Sequence, residues 1–248
     1  MPLPTLVLLH GFPLDHTIWE PQLKGLSDVA DVLAPDLRGF GTDDRPVPEI
    51  MTMEDYAADV KALLNENGLE RVVLGGLSMG GYVALAFAEA WPERLAGLLL
   101  VNTRGTADGE EAQRGRKDTA QRALAGGVPV IARGMVPTLL SEATRGRHPE
   151  LAAEVEALIA WQRPEAVAAA ARGMALRPDR HAVLGSLDVP VLVITGEHDH
   201  LMPLSTSLAL QAAAAGSHLA VVPGAGHLSN LEGPEAFNAA VRTFLAGI

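Results

Sequence analysis

The chain has 248 residues, a formal net charge of −11 and no cysteine. A negative charge of this size disfavours nucleic acid and anionic membranes as partners, and the lack of cysteine excludes disulfides, thiol nucleophiles and thiolate metal sites. With 48% hydrophobic and 20% charged residues, the composition is that of a globular protein long enough for one domain with an inserted subdomain.

The N-terminal segment, MPLPTLVLLHGF, is apolar but has neither a basic region nor a small-residue cleavage site. We therefore expect no signal peptide and a cytoplasmic location, and no apolar run in the sequence is long enough to span a bilayer. Thr5–Leu9 is predicted to be a buried strand instead. Gly11 then allows the chain to turn, which leaves the amide of Phe12 facing a cleft.

A second short strand is predicted at residues 32–34, followed by the loop PDLRGFG. We expect Asp36 and Arg38 to brace this loop through charge-assisted hydrogen bonds rather than to catalyse a reaction. Residues 52–64 have helical spacing of apolar side chains, and Thr52 with Asp55 three positions later is typical of a capping box.

The central stretch, RVVLGGLSMGGYVALAFA, runs from an apolar strand pattern through a G-x-S-x-G motif into a helical pattern. A sharp strand-to-helix turn can present the hydroxyl of Ser78, but its side chain then crowds the residues two positions away. Gly76 and Gly80 lack a Cβ and relieve that crowding. The helix that follows aims its N-terminal amides at the serine. The stretch therefore predicts a nucleophilic serine on a turn.

Strands and helices alternate up to a further strand at residues 95–101, which indicates a parallel sheet with helices on both faces. From residue 104 to residue 185 no strand is predicted. Four helices are expected there, at residues 107–125, 128–141, 149–161 and 164–176. The sequence thus predicts a core of residues 1–103 and 186–248 and a helical cap of residues 104–185.

The sheet resumes with strands at residues 189–195 and 219–222, and a closing helix is expected at residues 234–246. The predicted fold class is α/β, a doubly wound, mostly parallel sheet of about six strands with helices on both faces and an inserted all-helical cap.

Three side chains follow predicted strands in the order Ser78, Asp199, His227. The carboxyl ends of parallel strands meet at one edge of a sheet, so we expect these side chains to converge. Serine is a poor nucleophile until a base takes its proton. His227 can serve as that base, and Asp199 can orient the imidazole and stabilise its charged form.

Other acidic and histidine side chains compete for these roles: Asp108, Glu197, His198, His200 and His218. Asp199 is favoured over Glu197 because it lies further along the loop and has a shorter, stiffer side chain, and over Asp108 because it follows the later strand. The two histidines beside Asp199 suggest a metal, but no further ligands have coordinating spacing. His218 precedes the last strand, at the wrong end of the sheet. We expect no metal and no cofactor.

Five motifs carry a resemblance to a known family: HGFPLD (10–15), PDLRGFG (35–41), GLSMGG (76–81), GEHD (196–199) and GAGHLSNLEGPEAFN (224–238). The chain resembles cap-bearing α/β-hydrolases, a group that includes 3-oxoadipate enol-lactonases, small carboxylesterases and cofactor-free haloperoxidases. The resemblance implies a serine hydrolase that cleaves a small carboxylic ester or lactone through an acyl-enzyme. It also implies oxyanion donors at the amides of Phe12 and Met79.

Members of this group usually carry an antiparallel strand pair before the first strand predicted here. We therefore expect six strands, all parallel, with the strand at residues 32–34 at an open edge. Because an open edge is a pairing liability, that edge should be covered or paired in a homodimer.

The substrate is expected to meet the cap. The candidates for a small apolar pocket are Phe12, Met79, Met135, Leu139, Trp161 and Met174. The candidates for holding a substrate carboxylate are Arg133, Arg163 and Arg172. Two other hypotheses stay open: the same three side chains used for perhydrolysis, acyl transfer or C–C bond hydrolysis, and a ligand receptor without turnover.

Overall fold

A computed structural model describes residues 3–248 of the chain. One six-stranded sheet runs through it, in the order β2-β1-β3-β4-β5-β6, and every neighbouring pair of strands is parallel. The strands are β1 (Thr5–Leu9), β2 (Asp31–Leu33), β3 (Val72–Leu77), β4 (Leu95–Val101), β5 (Val191–Gly196) and β6 (His218–Val222). The predicted fold class is confirmed.

Helices cover both faces of this sheet. The core helices are α1 (Glu20–Gly25), α2 (Met53–Glu66), α3 (Met79–Ala90), α10 (Leu204–Ala213), α11 (Ser229–Glu232) and α12 (Pro234–Leu245). Strand β1 shows why its sequence is uniformly apolar: Val7 and Leu9 pack into one core cluster, and Leu6 and Leu8 pack into the other. A strand buried on both faces needs no polar alternation.

The segment between β4 and β5 contains helices and no strand. They are α4 (Glu110–Arg122), α5 (Val128–Leu139), α6 (Glu142–Arg147), α7 (Pro149–Ala160), α8 (Pro164–Leu176) and α9 (His181–Leu184). A π-helical turn, Ala123–Gly127, joins α4 to α5, with Gly126 at φ 82°. The four predicted cap helices correspond to α4, α5, α7 and α8, whereas α6 and α9 were not predicted. None of the helices in residues 3–248 is long and apolar enough to cross a bilayer.

Two local predictions are confirmed. Thr52 and Asp55 form the capping box of α2, in which each side chain accepts a hydrogen bond from the other residue's backbone N–H. Strand β2 is the terminal strand of the sheet, and Leu33 at its end is 37% exposed. Pairing of this edge in a homodimer stays a prediction.

The strand order reverses direction at β1, since β2 lies on one side of β1 and β3 on the other. The loops that leave β1 and β3 therefore diverge and open a crevice at the carboxyl ends of these strands. The loop after β1 carries Phe12, and the turn after β3 carries Ser78.

Candidate active site

Ser78 forms a strained turn between β3 and α3, with φ 54° and ψ −110°. Positive φ is unfavourable for a residue with a Cβ, so neighbouring contacts must hold it there. The backbone N–H of Ser78 donates to Val101 O at 2.9 Å, and its carbonyl accepts from Thr103 Oγ1 at 2.8 Å. The end of β4 thus fixes the turn that presents the serine.

The two glycines of the motif are required by close backbone contacts. A Cβ on Gly76 would lie 2.1 Å from the carbonyl oxygen of Gly80, and a Cβ on Gly80 would lie 2.3 Å from that of Leu9. Backbone atoms at these distances cannot move aside without disturbing the sheet. The interpretation of this motif as a tight strand-to-helix turn is confirmed.

Asp199 and His227 are buried together at the ends of β5 and β6. The Nδ1 atom of His227 lies 2.8 Å from Oδ2 of Asp199, and Oδ1 of Asp199 accepts from the backbone N–H groups of Leu201 and Met202 at 2.9 Å. Burial alone would raise the pKa of Asp199, but the hydrogen bond and charge of His227, with the other donors, hold it below its ordinary value. The ionised carboxylate fixes the proton on Nδ1 and leaves Nε2 of His227 as a base.

Asn102, at the end of β4, is a further member of this group that the sequence did not reveal. Its Nδ2 donates to Asp199 Oδ2 at 2.8 Å and to Gly226 O at 3.3 Å, and its Oδ1 accepts from Ser229 Oγ at 2.5 Å. Asn102 is fully buried and has φ 45°. Asparagine tolerates positive φ better than most residues. An asparagine directly after β4 was therefore the one feature of the sequence that could have pointed to this position.

Ser78 and His227 line one cavity of about 400 Å³ between the sheet and the cap. In the described chain no hydrogen bond joins the Ser78 hydroxyl to His227. Such bonds often form only when substrate is present. The structure therefore brings the three predicted side chains to one site, with Asp199 and His227 in direct contact.

Four of the predicted pocket residues line this cavity: Phe12, Met135, Leu139 and Met174. Met79 does not, because its side chain is fully buried in the core. The prediction for Trp161 is wrong: it follows the last turn of α7, its side chain is 68% exposed, and it lies outside the cavity lining.

Two backbone amides near Ser78 are available as donors. The N–H of Phe12 makes no hydrogen bond to another described residue, and Met79 is the first residue of α3, where an N–H has no intrahelical acceptor. His10 holds the loop of Phe12: its Nδ1 donates to Gly11 O and its Nε2 accepts from Leu37 N, both at 2.9 Å. Burial lowers the pKa of His10, which keeps the ring neutral.

The cap is hydrogen-bonded to the histidine loop. Leu139 O, at the end of α5, accepts from the backbone N–H groups of His227 and Leu228 at 3.0 and 3.1 Å. The carboxylate of Glu232 accepts from Ser141 N and from Gly226 N, both at 2.8 Å. These four bonds fix the position of the imidazole relative to α5.

The rival acids have other partners. Glu197 accepts a hydrogen bond from Gly224 N at 2.9 Å, and Asp108 is surrounded by arginines. Neither forms a hydrogen bond with His227 among the described residues. The choice of Asp199 agrees with the geometry.

The three arginines predicted to meet the substrate do not line the cavity. Arg133 is exposed, Arg163 donates to backbone carbonyls of a neighbouring loop, and Arg172 pairs with a glutamate. The arginines that line the cavity are Arg104 and Arg116, which the sequence did not single out. Helical spacing alone cannot say which face of a cap helix points inward.

One group of described side chains has the spacing to hold a metal ion: Asp15, His16 and Asp36. It lies in the loops after β1 and β2, not at the histidines beside Asp199. His16 Nδ1 donates to Asp36 at 2.8 Å, and Thr42 donates to the other oxygen of Asp36 through its backbone and side chain. Asp36 thus braces its loop, as predicted.

Known proteins share this architecture. The family model described as "alpha/beta hydrolase fold" matches residues 4–234. A thermophilic esterase from Thermogutta terrifontis, solved with malate bound, is 43% identical with a TM-score of 0.96, covering 99% of this chain and 90% of that one. The enol-lactonase from Burkholderia xenovorans LB400 is 28% identical with a TM-score of 0.91, covering 99% and 92%. Carboxylesterase YbfK from Bacillus subtilis is 28% identical over 98% of this chain and 81% of its own.

Proposed function

The chain belongs to the alpha/beta hydrolase fold family, and from that premise we propose that it is a serine hydrolase that cleaves a small carboxylic ester or lactone. One observation carries the proposal. A buried Asp199–His227 pair, joined at 2.8 Å, lines the same cavity as a serine held on a strained turn. No structural need of the fold explains an ionised carboxylate, an imidazole and a strained serine at one cavity.

In the first half of the reaction, Nε2 of His227 takes the proton of Ser78 as its Oγ attacks the substrate carbonyl. Asp199 stabilises the imidazolium that forms. The amides of Phe12 and Met79 donate to the oxyanion, and the N-terminus of α3 adds its dipole. His227 then gives the proton to the leaving alkoxide, which leaves an acyl group on Ser78.

In the second half, His227 takes a proton from water, and the resulting hydroxide attacks the acyl group. The oxyanion is held by the same amides. The bond to Ser78 Oγ breaks, the proton returns to that oxygen, and the carboxylic acid leaves.

The substrate class is supported by the size and lining of the cavity. A cavity of about 400 Å³ with Met135, Leu139 and Met174 on its wall suits a small, partly apolar molecule. The relatives described above are named as two esterases and an enol-lactonase, and these names denote the cleavage of ester and lactone bonds.

The test compares Ser78→Ala with wild type on short esters and lactones. We expect turnover to fall about a millionfold, and an organophosphate to add to Ser78 in the wild type, detected by peptide mass. Ser186→Ala is the matched control, because Ser186 is exposed and donates only to a backbone carbonyl. Turnover near wild type in Ser78→Ala would refute the proposal, and so would stabilisation by an ester that is never hydrolysed.

A further inference from the structure

The cavity that holds Ser78 and His227 also carries two cations. Arg104 lies in the loop after β4, only three residues beyond the strand, and Arg116 lies on α4 of the cap. The guanidinium of Arg116 lies 6.0 Å from the ring centroid of Phe12, the residue whose amide is proposed to bind the oxyanion. Both cations thus line the cavity of the reacting serine, and Arg116 lies beside Phe12.

A buried aspartate holds these arginines in place. Asp108 accepts from Arg104, from Arg116 Nε at 3.3 Å and from Arg177 Nη2 at 2.9 Å. Its side chain is fully buried, as is nearly all of Arg177. Burial alone would raise the pKa of Asp108, but Arg177, Arg116 and Arg104 together lower it, so the carboxylate is charged at neutral pH.

One carboxylate does not neutralise this cluster. Three guanidinium charges meet a single carboxylate charge, which leaves an excess of two positive charges beside a partly enclosed cavity. The side chains of Arg104 and Arg116 are 27% and 25% exposed, so water screens only part of this charge. The remaining positive charge favours an anionic ligand in the cavity.

The arginines also keep hydrogen-bond donors free. Arg116 uses only Nε for Asp108, and its two terminal NH₂ groups make no hydrogen bond to a described residue. The Nε of Arg104 is buried without a partner. The planar edge of a guanidinium matches a carboxylate, to which it can donate two parallel hydrogen bonds.

We propose that Arg104 and Arg116 form an anion subsite and that the substrate is an ester or lactone that carries a carboxylate. The inference rests on the proposed function, since it takes Ser78 as the nucleophile. Asp108, a rival for the catalytic acid in the sequence, is here a positioning residue that binds and orients the two arginines.

The test uses two pairs of esters that differ by one charge. Monomethyl glutarate carries its charge on the acyl side, and dimethyl glutarate is its neutral partner. O-acetylglycolate carries its charge on the alcohol side, and its methyl ester is the neutral partner. We expect the wild type to show a higher kcat/KM for the charged member of at least one pair. Arg116→Gln and Arg104→Gln should each lower the charged-to-neutral ratio of kcat/KM by about 10- to 100-fold.

Arg133→Gln is the matched control. It removes the same charge from an exposed position of the cap, so the ratio should stay within about twofold because exposed charges are screened. Arg116→Lys keeps the charge but loses the two-pronged geometry, and it should give an intermediate ratio.

A binding measurement makes the result independent of turnover. Glutarate should raise the Tm of the wild type and of Arg133→Gln, and raise that of Arg116→Gln much less. The subsite is overturned if glutarate stabilises all three equally or none, or if the arginine variants lose the same factor on charged and neutral esters. Failure of the proposed function would look different, because no ester would then be hydrolysed and Ser78 would resist the organophosphate.

Discussion

Asn102 provides the sharpest test of how the site is held together. Replacing it with alanine removes the hydrogen bond to Asp199 and leaves the hydroxyl of Ser229 without its acceptor. A hydrogen bond to a charged group contributes about 1.5–3 kcal/mol, and a buried polar group left unpaired costs about 1–3 kcal/mol. Alanine at φ 45° adds about 1 kcal/mol of strain.

Glycine at the same position separates these contributions. Asn102→Gly loses the same hydrogen bonds but accepts positive φ without strain. We expect Asn102→Gly to lower the free energy of unfolding by about 2.5–6 kcal/mol and Asn102→Ala by about 1 kcal/mol more. For a chain of this size the glycine variant should melt about 5–24 °C below wild type.

The same variants should change the chemistry. Asp199 loses a donor to the oxygen that binds His227, so its carboxylate should orient the imidazole less firmly and kcat/KM for a neutral ester should fall. Differential scanning calorimetry and turnover of a neutral ester measure the two effects. If Asn102→Gly melts with the wild type and keeps its kcat/KM, Asn102 does not position Asp199.

Two other outcomes concern the neighbouring turns. Because a Cβ on Gly76 would meet backbone at 2.1 Å, Gly76→Ala should yield little folded protein by circular dichroism, whereas Gly134→Ala, with open space around it, should fold normally. Burial lowers the pKa of His10 below its ordinary 6.5, so below that pH the unfolded chain binds a proton that the folded chain excludes. The free energy of unfolding should therefore fall as the pH drops from about 7.5 to about 5.5, and denaturant titrations should show a smaller fall in His10→Asn.

The sequence was sufficient to predict the sheet and to identify Ser78, Asp199 and His227 as the central side chains of the site. Short, uniformly apolar runs such as Leu95–Val101 that alternate with helical patterns indicate parallel strands buried on both faces, and the loops that leave such strands meet at one edge of the sheet. Ser78, Asp199 and His227 lie in the loops that leave β3, β5 and β6, so the sheet brings them to one edge. Contacts with the cap then fix the position of His227.

Other parts of the site depend on contacts that no local pattern encodes. Asn102 donates to Asp199 and to Gly226, which lie 97 and 124 positions further along the chain. Trp161 was expected inside because it is large and apolar, but it follows the last residue of α7, where helical periodicity no longer fixes a side. Arg163 was expected at the substrate and Arg116 was not singled out, for a related reason: the inward face of each cap helix is set by its packing on the others.

The bonds between the cap and the histidine loop limit how this protein can be redesigned. A graft that exchanged all of residues 104–185 for the corresponding part of another hydrolase would keep the anchors of the His227 loop only if its backbone placed a carbonyl and an N–H where Leu139 O and Ser141 N now lie. With any other backbone path, the new pocket would surround a displaced base. Selectivity is better altered by exchanging α4 and α8 while the stretch from residue 139 to residue 141 keeps its native sequence.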